Sequence, residues 1–266
     1  MFGVSEFDGN PKGRHREHAS SLHPRGDRGA SGIKRGDEGG LLEAKRASRE
    51  PRRLDRNGNY VTGVPRDPVV LALDSAGLGC SVMVASGETV LGAQSDTAMH
   101  GQAEILLPMV DSVMRGAGLP ASALDIIGVT VGPGSFTGIR IGLAAARGIA
   151  LATGARLVGV TGFEAVAAGL ARSSLGVGFI LIALESRRAD LYVQLFDHAH
   201  IALEDPTATM PAALNERLTR IIGAAPLLVA GDAAQRAAST LSQRPDTMVA
   251  AGSAPDAAGV LRAVLR

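Results

Sequence analysis

The sequence predicts an α/β protein in which two similar lobes follow one another along the chain. From Pro68 onward, short apolar runs alternate with segments of helical periodicity. The order of elements in residues 68–173 recurs in reduced form in residues 174–266. The chain is 45% hydrophobic and 20% charged, a composition that allows a sizeable core. We therefore expect two α/β lobes packed side by side.

The first lobe is predicted to open with an antiparallel meander of three strands, because three short apolar runs are separated by turn residues. Helices and strands then alternate, and Pro108 predicts a kink or a late start in the first helix. The predicted elements are the strands Val69–Asp74, Cys80–Ala85 and Val90–Gln94, a helix over His100–Gly116, the strand Leu124–Val131, a helix to about Thr153, the strand Arg156–Val160 and a helix over Gly162–Ala171.

The second lobe is predicted to repeat this plan with shorter elements. A charged turn, Glu185–Arg188, joins its first two strands and is interpreted as structural rather than catalytic. The predicted elements are the strands Val177–Leu184, Asp190–Phe196 and Ile201–Leu203, a helix over Pro211–Ile222, the strand Leu227–Ala230, a helix over Ala233–Leu241, the strand Met248–Ala250 and a helix over Asp256–Leu265.

Residues 1–67 differ in character from the rest of the chain. They hold 14 Lys and Arg against 10 Asp and Glu and few large apolar residues, so we expect a disordered basic tail. Basic and acidic residues are interleaved in this segment, which favours a solvated tail over an arm that binds RNA or a membrane surface.

Composition excludes several classes of function for the two lobes. Residues 68–266 contain no lysine, which excludes a P-loop NTPase and a Schiff-base enzyme. Aromatic residues make up 3% of the chain, which argues against a base-stacking platform. The single cysteine, Cys80, excludes an internal disulfide and fits a reduced, cytoplasmic setting, and no apolar run approaches the length of a membrane span.

The loop Gly132–Gly138 (GPGSFTG) carries the most information of any segment, because it lies between a predicted strand and a predicted helix. Free backbone N–H groups and the helix dipole make such a position an anion site. A tight turn with Ser135 or Thr137 as the helix N-cap explains the same residues equally well. The loop fits neither the Walker A pattern nor a nucleophile elbow.

Asp74 ends the first predicted strand and precedes a glycine turn. A carboxylate there could hold a hydrated Mg²⁺ under a phosphate, although a turn-forming role is favoured. The six residues that we assign to a degenerate nucleotide or anion site are Asp74, Gly132, Gly134, Ser135, Thr137 and Gly138. No His₂-carboxylate set or Ser-His-Asp arrangement can be placed by spacing, so we predict no catalytic residue and no metal ligand in this chain.

Four stretches together resemble the TsaB (YeaZ) family. They follow one another in the order and at the spacing of that family, over roughly residues 69–235: LALDSAGLGCSVMV, GQAEILLPMV, GVTVGPGSFTGIRIGLAAARGIAL and ALESRRADLYVQLF. The GPGSFTG-x-R-x-G pattern is highly specific. Two positions depart from the family: Gln102 stands where a histidine is usual, and Glu185 stands where an aspartate is usual.

The resemblance implies a two-lobed fold shared by actin, sugar kinases and the Hsp70 ATPase domain, which is ribonuclease H-like. It implies a non-catalytic scaffold and dimerisation subunit in the transfer of a threonylcarbamoyl group to N6 of adenosine 37 in tRNAs reading ANN codons. The implied partners are a TsaD-type catalytic paralogue and a TsaE-type ATPase, which bind the ATP and metal, and tRNA through the complex. Whether the isolated chain is a homodimer is left open.

The partner surface is predicted on the two first-lobe helices, over residues 100–116 and 136–153. Small residues recur every fourth position along the second helix, and such a ridge allows close helix packing. Packing of the same ridge against the chain's own sheet is the alternative. The residues assigned to the interface are Leu106, Met109, Val113, Gly138, Gly142, Ala146 and Ala150.

Two other functions remain as alternatives to the scaffold. An ATP-dependent kinase or ATPase of the same fold would use Asp74 and the Gly132–Gly138 loop and would act alone. A glycoprotease is the weakest alternative, because no nucleophile–base pair can be placed in the sequence.

Overall fold

The computed structural model describes residues 53–54, 60–61, 67–77, 79–97, 101–170, 178–244, 246–250 and 254–266. The chain divides into two compact units, residues 1–64 and 65–266. In the first unit, β1 (Arg53–Leu54) pairs antiparallel with β2 (Tyr60–Val61), so these four residues differ from the predicted tail. The remaining predicted disorder of residues 1–67 lies outside the described residues, apart from Asp67.

The first lobe contains a five-stranded mixed sheet of order β5-β4-β3-β6-β7. Its central strand β3 pairs antiparallel with β4 and parallel with β6. The three strands of the meander form as predicted. The elements are β3 (Val69–Asp74), β4 (Cys80–Ser86), β5 (Thr89–Asp96), α1 (Gln102–Gly116), β6 (Ile126–Gly132), α2 (Phe136–Thr153), β7 (Arg156–Thr161) and α3 (Gly162–Gly169).

The second lobe contains a five-stranded sheet of order β10-β9-β8-β11-β12. Its central strand β8 pairs antiparallel with β9 and parallel with β11. The predicted boundary at residues 173–174 lies outside the described residues. The elements are β8 (Phe179–Glu185), β9 (Leu191–Asp197), β10 (Thr207–Thr209), a 3₁₀ turn (Pro211–Ala213), α4 (Leu214–Ile222), β11 (Leu227–Ala230), α5 (Ala234–Ser239), β12 (Thr247–Val249) and α6 (Ala257–Val264).

The two lobes share one topology. In both sheets the strands stand in the order third, second, first, fourth, fifth, counted along the chain within each lobe. Helices follow the third, fourth and fifth strands in both lobes, so α1, α2 and α3 correspond to α4, α5 and α6. This duplicated α/β topology confirms the predicted two-lobed, actin-like fold class.

The last helix of each lobe packs on the sheet of the other lobe. Phe163 and Val166 of α3 are buried against the second sheet, and Val260 and Leu261 of α6 are buried against the first. The outer face of the first sheet is covered by α1 and α2, and that of the second sheet by α4 and α5. The molecule therefore has five layers, with the exchanged helices α3 and α6 in the middle.

Two glycines allow the exchanged helix α6 to approach its neighbours closely. A Cβ at Gly259 would lie 2.8 Å from the carbonyl carbon of Ala165 in α3. A Cβ at Gly128 in β6 would lie 2.7 Å from Val264 and 2.9 Å from Val260. Because these separations are below any normal carbon–carbon contact, both positions require glycine for packing rather than for backbone freedom.

The structure differs from the sequence-based prediction at two elements. The third strand of the second lobe is β10 (Thr207–Thr209), whereas the predicted strand Ile201–Leu203 contributes only an isolated bridge between Ala202 and Phe196. Helix α1 begins at Gln102 and continues through Pro108, so no late start occurs. In the described part of the chain, no helix combines the length and the apolar character needed to cross a membrane.

We predict that Gly259→Ala lowers the free energy of unfolding by about 1–3 kcal/mol, because the added methyl group forces α6 away from α3. The matched control is Gly148→Ala, since a Cβ at this helical position meets no atom within 4 Å. It should raise stability by about 0.5–1 kcal/mol through helix propensity. Urea unfolding measures both variants, and a Gly259→Ala protein as stable as the parent would contradict the close packing of the exchanged helices.

Candidate functional site

The candidate site is a cleft of about 290 Å³ between the two lobes. Loops at the carboxyl ends of the central strands form its walls, which is the usual place for a ligand in an open α/β sheet. Its lining residues are Ala76, Gly77, Pro133, Gly134 and Ser135 from the first lobe and Leu184, Glu185, Ser186, Arg187, Asp232 and Pro255 from the second.

Asp74 lies at the end of β3, directly before the loop that lines the cleft. Its side chain is buried, and its Oδ1 has no hydrogen-bond partner among the described residues. The pKa of this carboxyl is about 6, because burial raises it above the ordinary value and the negative charge of Asp256 adds to the rise. The Thr130 hydroxyl and the backbone N–H groups of Ala76 and Gly77 lower the pKa and offset part of this effect.

The loop between β6 and α2 is bonded to the loop after β3. The Ser135 N–H donates to the Ala76 carbonyl over 2.7 Å, and the Ser135 side chain accepts from the Gly138 N–H over 3.2 Å as the N-cap of α2. Gly134 has φ 156°, and a Cβ there would lie 2.9 Å from the Ala76 carbonyl carbon. Ser135 is therefore the N-cap of α2, one of the two residues predicted for that position.

The structure brings only part of the predicted anion site to the cleft. Gly134 and Ser135 line it, whereas Asp74 lies beneath its loop. Gly132 and Gly138 are buried, and Gly138 packs against the backbone of Ser75. Thr137 is exposed on the first turn of α2.

The second-lobe wall carries two carboxylates that the sequence analysis did not assign to a site. Glu185 forms an ion pair with Arg236 over 2.6 Å, and its backbone N–H donates to Asp232 Oδ1 over 2.9 Å. Burial raises the pKa of Asp232, and the nearby charge of Glu185 adds to this. The internal duplication could have indicated Asp232, because the Gly231–Asp232 turn follows β11 as the loop that starts at Pro133 follows β6.

The structure corrects the choice of interface residues. Six of the seven predicted residues are buried in the first lobe, and Ala150 is half-buried on the same core. A Cβ at Gly142 would lie 3.5 Å from Val129 and would also meet Ser75 Oγ. The Ser75 hydroxyl donates to the Gly138 carbonyl. The buried six are Leu106, Met109, Val113, Gly138, Gly142 and Ala146. The ridge packs within its own lobe because small residues let α2 approach β6 and the loop after β3 closely.

The outward face of α2 is different from this ridge. Phe136 is 67% exposed and Leu151 is 88% exposed, and the guanidinium of Arg140 stacks over the Phe136 ring at 3.7 Å. Gly148 lies on the same face. On the neighbouring helix α1, Leu107 is 52% exposed. The prediction that these two helices contact a partner remains a prediction, and these residues are the ones available for it.

A metal site is not evident in the described ranges: they hold no cluster of three or more His, Cys, Asp or Glu side chains that could ligate an ion. His198 and His200 lie in the turn after β9, where Asp197 accepts from the Ala199 and Ile201 N–H groups. This turn is therefore shaped by the Asp197 side chain.

We predict that Asp74→Asn stabilises the protein in a pH-dependent manner. Because the pKa is 3.8 when the chain is unfolded and about 6 when it is folded, the ionised carboxyl destabilises the fold. This penalty is absent well below pH 3.8, grows as the pH rises and is complete above pH 6. The stability difference between Asp74→Asn and the parent should therefore grow by about 2–3 kcal/mol from pH 4 to pH 7.5. Urea unfolding over this pH range measures it, with Glu216→Gln as the exposed-carboxylate control. A difference independent of pH would contradict the raised pKa.

Comparisons with known proteins agree with this architecture. The family described as "TsaD: tRNA N6-adenosine threonylcarbamoyltransferase" matches residues 62–238, about two thirds of the chain. The "tRNA threonylcarbamoyladenosine biosynthesis protein TsaB" of Escherichia coli (strain K12) is 28% identical over 158 residues, which cover 58% of this chain and 68% of that protein. A "tRNA N6-adenosine threonylcarbamoyltransferase" of Erythrobacter litoralis is 37% identical over 93 residues, which cover 34% of this chain but 27% of that protein.

A solved structure extends the likeness to nearly the full length of a relative. YeaZ from Pseudomonas aeruginosa is 26% identical, with a TM-score of 0.63, and the match covers 74% of this chain and 90% of that one. The chain therefore belongs to the TsaD family, and its likeness to TsaB and YeaZ places it with the TsaB (YeaZ) proteins.

Proposed function

We propose that this chain is the non-catalytic, dimerisation subunit of the complex that transfers a threonylcarbamoyl group to N6 of adenosine 37 in tRNAs reading ANN codons. The names of the relatives supply the reaction: one is a tRNA threonylcarbamoyladenosine biosynthesis protein, and the family description is that of the transferase. In this proposal a TsaD-type paralogue carries the active site, a TsaE-type ATPase and TsaD bind ATP and metal, and the complex works in the cytoplasm.

The observation that carries the non-catalytic role is the internal bonding of the cleft. The Ser135 N–H, at the place where a helix N-terminus would receive a phosphate, donates to the Ala76 carbonyl. On the opposite wall Glu185 is paired with Arg236, and Asp232 accepts from the Glu185 N–H. These three groups of the cleft walls are thus already bound to the chain itself, which supports a non-catalytic role.

An ATP-dependent kinase or ATPase acting alone is the second candidate. One observation favours it: Asp74 Oδ1 is a buried carboxylate oxygen without a hydrogen-bond partner in the described part of the chain, next to the loop that lines the cleft. The two candidates differ in whether the isolated chain hydrolyses ATP.

A transfer assay with purified components tests the proposed function. We expect the chain alone to show neither ATP turnover above background nor modified tRNA, and the TsaD-type partner to form threonylcarbamoyladenosine at least tenfold faster when the chain is added. ATP turnover by the isolated chain that is lost in Asp74→Asn would favour the kinase-like candidate instead. Equal rates with and without the chain would contradict the scaffold role.

The outward face of α2 is the surface that we propose for the TsaD-type partner. Exposed apolar side chains are the usual core of an interface, and Leu151 and Phe136 are two of the most exposed large apolar residues in the described chain. Gly148, which costs helix stability but has open space around its Cα, would let a partner helix approach closely.

We predict that Leu151→Asp weakens binding of the TsaD-type partner at least tenfold while the melting temperature stays within about 2 °C of the parent, because the side chain touches solvent rather than the core. Met248→Asp, at a 50% exposed apolar position on the second lobe, is the matched control and should bind normally. Normal partner binding by a folded Leu151→Asp protein would show that the interface lies on another surface.

A further inference from the structure

Arg236 occupies an unusual position on α5, behind the turn that forms the second-lobe wall of the cleft. Its Nη1 donates to Glu185 Oε2 over 2.6 Å. Its Nη2 lies within hydrogen-bond distance of three successive carbonyl oxygens, those of Arg188 at 2.8 Å, Ala189 at 2.5 Å and Asp190 at 3.4 Å. One guanidinium therefore contacts both the start and the end of the turn between β8 and β9.

The turn that Arg236 holds has a strained backbone and little packing of its own. Arg187 has φ 61°, in the left-handed region that side-chain-bearing residues rarely adopt. Residues 187–189 are exposed, so no core contact fixes them. Within the turn, Ser186 Oγ donates to the Asp190 backbone and side chain, and it accepts from the Arg188 N–H over 3.0 Å.

The same turn forms part of the cleft, since Glu185, Ser186 and Arg187 line it. The guanidinium fork suits this role because it places several fixed donors in one plane, whereas an ammonium group cannot match several acceptors at fixed angles. The ion pair also holds the Glu185 carboxylate against Arg236 of α5, so this negative charge is neutralised at the cleft.

We propose that Arg236 is a latch that holds the β8–β9 turn in its strained conformation and thereby sets the second-lobe wall of the cleft. Without the guanidinium, the turn opens while both sheets stay folded. This proposal does not depend on the function of the complex, because it concerns the contacts of this chain alone.

Hydrogen–deuterium exchange of the full chain, followed by mass spectrometry, tests the latch. In Arg236→Ala we expect the protected amides of residues 185–191, that of Arg188 foremost, to exchange at least tenfold faster than in the parent. Peptides from β3 and α2 should stay within twofold of the parent. Arg220→Ala is the matched control, because it removes an exposed arginine from an i,i+4 ion pair with Glu216 in the same lobe.

A second variant keeps the test decisive if Arg236→Ala unfolds globally. Arg236→Lys retains the positive charge but loses the fork, and we expect exchange in the turn at least threefold faster with the rest of the protein unchanged. Exchange in the turn within twofold of the parent, in Arg236→Ala or in Arg236→Lys, would overturn the latch.

Discussion

The exchange of α3 and α6 between the lobes is the constraint on which the rest of this structure depends. Each lobe ends in a helix whose apolar face, Phe163 and Val166 in one and Val260 and Leu261 in the other, is buried on the opposite sheet. Neither sheet can therefore cover its inner face with helices from its own lobe alone. The close approach of Gly259 to the Ala165 backbone brings the two helices together at the centre, between the two sheets.

The walls of the cleft are bonded within the chain itself. The loop after β3 and the loop after β6 are joined by the Ser135–Ala76 hydrogen bond, and on the other side Arg236 holds Glu185 and its turn. Asp74 is the exception, because its Oδ1 is buried without a partner among the described residues. In the proposed function the outer helices, rather than the cleft, contact other molecules.

Much of the fold could be predicted from the sequence, because strand runs and turn residues are local signals. The meander over Val69–Gln94 and the duplication of the lobes follow from periodicity alone. The exchange of helices could not be predicted from the sequence, because periodicity shows that a helix has an apolar face but not which sheet covers that face. For the same reason the ridge of Gly138, Gly142 and Ala146 was assigned to a partner, although it packs on its own sheet. The contacts of Arg236 could not be predicted from the sequence, because its acceptors lie about fifty residues away in the chain.

The central claim is that this chain serves threonylcarbamoyladenosine synthesis through its outer face and not through chemistry in the cleft. The most direct test is the threonylcarbamoyladenosine content of tRNA, measured by nucleoside mass spectrometry in cells depleted of the protein and supplied with variants. We predict that depletion lowers the content, that the parent and Asp74→Asn restore it, and that Leu151→Asp does not. Unchanged content on depletion, or a failure of folded Asp74→Asn to restore it, would contradict the account.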